Sequence, residues 1–153
     1  MRFLLVDSIV ELIPGKSVTA VKSVDPTDDY FRDHFPGFPV VPGVLLTEMM
    51  AQAAGKCLDA ERDPRGKAML GRIRSASFRE WVVPPATLSI KAEIETNRAD
   101  FATAKCQVVN GDKKVAQSDL LFSFVPLDRF VSGLRDDVLE EYLISQETGG
   151  GTE

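Results

Sequence analysis

One histidine, His34, opens the run His34-Phe35-Pro36-Gly37-Phe38-Pro39-Val40-Val41-Pro42-Gly43, and Glu48 and Gln52 follow it. Three prolines stiffen this loop, because each fixes its own φ and restricts the residue before it. Imidazole is the side-chain base suited to near-neutral pH. Glu48 has Leu45, Met49 and Ala51 around it. A carboxyl group in such surroundings needs a reserved partner or keeps its proton, and either condition suits a general acid. Gln52 lies four residues further on, hence on the same helical face, where its amide can orient the carboxyl. Gly43 falls at the expected helix start. There a backbone N–H lacks an intrahelical partner, the helix dipole is positive, and the missing side chain admits a ligand oxygen. An acid, a base and a backbone donor in fixed relation are the equipment for moving protons beside a carbonyl.

The nineteen residues 34–52 resemble the HFPG-x-P-x-x-PG-V-L-x-x-E-x-x-x-Q signature of the bacterial 3-hydroxyacyl-(acyl-carrier-protein) dehydratases, including the fourteen-residue step from His34 to Glu48. The resemblance implies a hotdog fold and elimination of water from a 3-hydroxyacyl thioester. It implies that His34 takes the C2 proton and Glu48 helps the C3 hydroxyl leave. The Gly43 amide would stabilise the thioester oxygen, with Gln52 in support. Glutamate at the second catalytic position is similar to the dehydratase-only branch; the branch that also isomerises the double bond usually carries aspartate. The resemblance further implies a homodimer in which the histidine of one subunit faces the glutamate of the other, with a higher oligomer of dimers left open. It implies no cofactor. Two rivals stand beside this reading. One is a hotdog thioesterase in which Glu48 directs water at the thioester. The other is a non-catalytic acyl-thioester-binding subunit, which would be expected to lose His34 or Glu48.

A fainter likeness covers residues 75–88. Family members read A-x-F-R-x-P-V-x-P-G-D-x-L there, whereas this chain has Trp81 for Pro, Pro85 for Gly and Ala86 for Asp. Proline cannot adopt the positive φ that glycine allows, so the turn must differ. These changes spare the catalytic residues and leave open a substrate from a specialised pathway.

The elements that would hold such a site can be read from the same chain. Its 153 residues suit one domain, and 44% hydrophobic with 27% charged residues is ordinary globular composition. The domain is expected over 1–147, with a disordered tail at 148–153. The first apolar run is too short for a signal peptide and no later run approaches a membrane span, so a cytoplasmic location is the default. Cys57 and Cys106 read as two reduced thiols, and one histidine with two distant cysteines gives no metal-ligand spacing. The net charge of −5 argues against nucleic acid as a partner. Within 56–79, however, seven basic residues meet three acidic ones. Arg72, Arg74 and Arg79 are the candidates there for docking an acidic acyl carrier protein. A coenzyme A thioester is the other form of substrate.

Residues 3–24 read as two strands about the Pro14-Gly15 turn. The best helix candidate is 44–62, apolar around most of its circumference between 44 and 54 and therefore buried. Ala51, Ala53, Ala54 and Gly55 let another backbone come close. Strand-like runs follow at 68–78, 88–95, 101–109 and 115–124. The first alternates imperfectly and is expected to be buried on different faces along its length. The last two flank Asn110-Gly111, a hairpin signal. A short helix is expected over 136–144. Two strands, one buried helix and several antiparallel strands make an α+β domain, one sheet wrapped around one helix.

Overall fold

The computed structural model describes residues 3–62, 64–130 and 135–149. Its six strands are β1 (Ser8–Ile13), β2 (Ser17–Val24), β3 (Lys67–Phe78), β4 (Ala86–Asn97), β5 (Phe101–Asn110) and β6 (Lys113–Val125). They form one antiparallel sheet in the order β1-β2-β4-β5-β6-β3. Helix α1 (Gly43–Asp59) packs against β2 through β6, and α2 (Asp137–Gly149) packs against β1. This is the hotdog architecture.

The wrapping follows from side-chain size. Twelve of the seventeen residues of α1, from Leu45 to Leu58, are buried, so nearly its whole circumference is covered. The sheet answers with small residues: Ala20, Ala92, Ala102, Ala104 and Ala116 are buried between larger Leu88, Ile90, Val108, Leu120 and Phe122. Short side chains at the closest approach let a curved sheet meet a helix without voids. Polar contacts fix the seam. Ser118 Oγ donates to Met50 Sδ at 3.3 Å, and the Gly15 N–H donates to Cys57 O at 3.0 Å.

Gly43, not Val44, is the first residue of α1, and the helix stops at Asp59, short of the expected 62. Ala60 caps it, and Arg62 sits at φ +51, which a continuing helix forbids. The hairpin turns one residue later than its sequence signal. Asn110 pairs with Lys113, so Gly111 and Asp112 are the two loop residues, and Gly111 supplies the positive φ of +66. Helix α2 runs to Gly149, two residues into the expected tail; residues 150–153 lie outside the described residues.

β3 differs most from expectation. It is not buried on alternating faces: every residue from Met69 to Phe78 is exposed, including Leu70, Ile73 and Phe78. It is an edge strand bonded only to β6, with register shifts at Gly71 and Arg74 that break its alternation.

Candidate active site

The proline loop ends at α1 and carries His34 into a shallow depression. The His34 N–H donates to Tyr30 O at 3.2 Å, closing a 3-10 turn at Asp29–Arg32. Phe35 then takes φ +54, a left-handed conformation rare outside glycine, and Gly37 follows at φ +84. The Phe35 ring lies against the imidazole with centroids 4.3 Å apart. The imidazole is half-buried and makes no hydrogen bond among the described residues. Tyr30, Asp33, Pro42, Val44 and Leu45 line the depression with it. Burial, aided by the Asp28 carboxylate, pushes the Tyr30 hydroxyl well above its usual range, so it stays a neutral donor.

Glu48 stands one turn into α1 and is half-buried. Gln52 Nε2 donates to Glu48 Oε1 at 3.2 Å and to Phe3 O at 3.0 Å. Gln52 Oε1 accepts the Leu5 N–H at 2.9 Å. The amide is thus clamped by the N-terminal segment and presents one N–H to the carboxyl. The reserved partner expected of Glu48 is Gln52.

Gly43 lies just after Pro42 at the helix start. The first helix N–H groups with a partner are Leu45 and Leu46, both donating to Pro42 O. The Gly43 N–H precedes them. A β-carbon here would come within 3.2 Å of the Phe78 ring, a tight contact that glycine avoids and that a larger residue would relieve only by shifting the ring.

His34 and Glu48 do not share a cavity within one chain. The depression holding His34 contains Val44 and Leu45 but not Glu48. Glu48 lines a separate cavity of 610 Å³ that runs the other way along α1. The structure brings together Glu48 with Gln52 and Gly43 with Phe78, and leaves His34 apart from Glu48.

The basic segment is largely consumed internally. Lys56 pairs with Asp136 at 2.7 Å, Arg62 with Glu140 at 3.2 Å, Arg65 with Glu61 at 3.0 Å and Lys67 with Asp59. Arg72 and Arg74 stand exposed on β3, without an ion pair among the described residues. Among the described residues the Arg79 guanidinium reaches only Gln117, at 3.4 Å. The altered turn before β4 holds a cis Pro84-Pro85 bond. Trp81 is 76% exposed and meets Phe38 of the proline loop edge-on at 5.2 Å. Ala86 begins β4. Both cysteines are free and buried, and no cluster of metal-ligating side chains occurs among the described residues.

Three contributors escaped the sequence. Phe78 packs close to Gly43, the Phe3–Leu5 backbone clamps Gln52, and Asp136 lines the Glu48 cavity and pairs with Lys56. Each acts across a large sequence separation, for which a single sequence carries no signal.

The FabA-like domain model matches residues 1–119. The protein named 3-hydroxyacyl-(acyl-carrier-protein) dehydratase FabZ of Ruminiclostridium cellulolyticum is 38% identical over 122 residues, covering 79% of this chain and 86% of its own. FabZ of Enterococcus faecalis is 41% identical over 121 residues, covering 78% and 86%. Among solved structures, a Streptococcus mutans protein bound to acetyl-CoA matches with a TM-score of 0.65 at 16% identity, covering 82% of this chain and 94% of its own. The dehydratase heterocomplex ApeI:P from Xenorhabdus doucetiae matches with a TM-score of 0.58 at 21% identity, covering 75% and 96%. The structural likenesses establish the fold; the family match and the relatives, which span most of the sequence, establish that this chain belongs to the FabA-like family.

Proposed function

We infer that this chain removes water from 3-hydroxyacyl thioesters to give trans-2-enoyl thioesters, at sites built between two copies. His34 takes the proton from C2. Glu48 gives a proton to the C3 hydroxyl, which leaves as water. Charge developing on the thioester oxygen is met by the Gly43 N–H at the positive end of α1. The observation that carries the reading is the Gln52-clamped Glu48, one turn past a helix N-terminus where Gly43 leaves the backbone bare. FabZ relatives of the same family bear the dehydratase name, which supports the same chemistry here.

Separation of His34 from Glu48 supports pairing of two chains. β3 is an open edge with unpaired backbone groups and exposed apolar side chains. Val44, 75% exposed at the helix start, adds apolar surface beside His34. Soluble monomers seldom leave such an edge uncovered. A second copy covers it, forms an isologous dimer and brings its glutamate to the first copy's histidine. Arg72 and Arg74, exposed on β3, offer positive charge to an acidic acyl carrier protein. The cytoplasm is the proposed location; among the described residues no helix is long and apolar enough to cross a membrane.

Purified protein incubated with 3-hydroxyacyl thioesters on both carrier protein and pantetheine, followed by mass spectrometry, tests the reaction. Loss of the mass of water is expected. Loss of the carrier would make the chain a thioesterase, and an unchanged substrate would make it a binder.

A further inference from the structure

We infer that α2 is the stopper of the acyl channel and sets the longest acyl chain that the site accepts. The inference rests on the reading of Glu48 as the acid, because the cavity in question begins there. From Glu48 it passes Ala51 and Gly55 of α1, skirts Met69 and Leu70 of β3, and ends at Val138 of α2. Ala51 and Gly55 are four residues apart, so they form one smooth groove on one helical face. A β-carbon on Gly55 would meet nothing nearer than Lys67 Nζ at 3.8 Å. The groove is therefore open space: Leu4, Ala51, Met69, Leu70, Phe122 and Val138 give it an apolar wall for an alkyl chain, and Lys67, Arg135 and Asp137 line it beside them.

Its far end is closed by charge. Lys56 Nζ pairs with Asp136 Oδ2 at 2.7 Å, and the lysine side chain is 8% exposed. Asp136 Oδ1 also accepts the Leu139 N–H at 3.1 Å and so caps α2. Two further ties hold the helix. The Leu12 N–H donates to the Tyr142 hydroxyl at 3.2 Å, and Arg62 pairs with Glu140. An acyl chain gains little from burying one more methylene, whereas opening this end strands a buried charge. The second effect outweighs several methylenes, so the stop is abrupt. Helix α2 lies wholly beyond residues 1–119, the stretch matched by the family domain.

Glu48 and Lys56 are eight residues apart, a rise of about 12 Å. An extended alkyl chain advances about 1.25 Å per carbon, given C–C bonds of ~1.5 Å. The channel thus takes on the order of nine carbons beyond C3, a chain near dodecanoyl length.

The test is kcat/KM of the full-length protein on 3-hydroxyacyl pantetheine thioesters from butyryl to palmitoyl length. Wild type is expected to fall roughly tenfold or more between dodecanoyl and palmitoyl. Gly55→Leu, which fills the groove without backbone strain, moves the break to shorter chains. Lys56→Ala with Asp136→Asn removes the ion pair, keeps an acceptor for the α2 cap and moves the break to longer chains. Calorimetric binding of saturated acyl pantetheines by the same three proteins gives an independent readout. If no chain is dehydrated but affinity breaks and shifts as described, the stopper stands and the reading of the reaction fails. An unbroken profile in wild type, or breaks that stay in place in both variants, overturns the stopper.

Discussion

Gln52 spends its oxygen on the Leu5 N–H and part of its nitrogen on Phe3 O, leaving an N–H for Glu48. The carboxyl is thereby oriented by an amide that cannot swing away. His34→Ala and Glu48→Gln are each expected to lower kcat by ~10²–10⁴-fold while the circular dichroism spectrum stays native. Turnover within a few-fold of wild type would remove that residue from the mechanism. The buried thiols give a second prediction. Burial pushes Cys57 from its ordinary 9.0 up to about 11, and Cys106 up to about 12. Above pH 9 the unfolded chain gives up these protons while the folded chain keeps them. Stability is therefore full below pH 9 and declines as pH rises toward 11 and 12. Urea midpoints across that window should fall less for Cys57→Ala with Cys106→Ala than for wild type; identical slopes would contradict the assignment. At this scale the site was legible where it is local: the His34 loop, the Gly43 helix start and the four-residue step to Gln52. Phe78 was not, because its contact with Gly43 depends on how the sheet returns to the helix.

β3 shows what an element's own sequence can hide. Its mixed alternation suggested burial that changes face, yet every residue from Met69 to Phe78 is exposed. By contrast α1 was legible as the central helix, because apolar residues around its circumference leave it nowhere to go but the core. The four-strand reading of 68–124 held because β4 alternates cleanly and Gly111 dictates the hairpin. The basic segment divided along the same line. Lys56, Arg62, Arg65 and Lys67 found acidic partners within the fold, and Arg72, Arg74 and Arg79 have none among the described residues. Arg72→Glu with Arg74→Glu should raise KM for the carrier-protein substrate far more than for the pantetheine substrate, and the difference should shrink at high salt. Equal rises for both substrates would assign these arginines to the pocket or to stability.

A sheet wrapped around α1 buries the helix but leaves both ends of the chemistry on the surface. One chain presents His34 in one depression and Glu48 in another. In the proposed dimer, pairing across β3 would make two identical sites, each with a histidine from one copy and a glutamate from the other. Mixing tests this most directly. His34→Ala and Glu48→Ala proteins, each inactive alone, are unfolded together and refolded in equal amounts. Half the dimers formed are mixed, and in each of these one site carries both lesions and the other none, so about a quarter of wild-type activity returns. No return of activity, with mixed dimers present by native mass spectrometry, would place each site within a single chain.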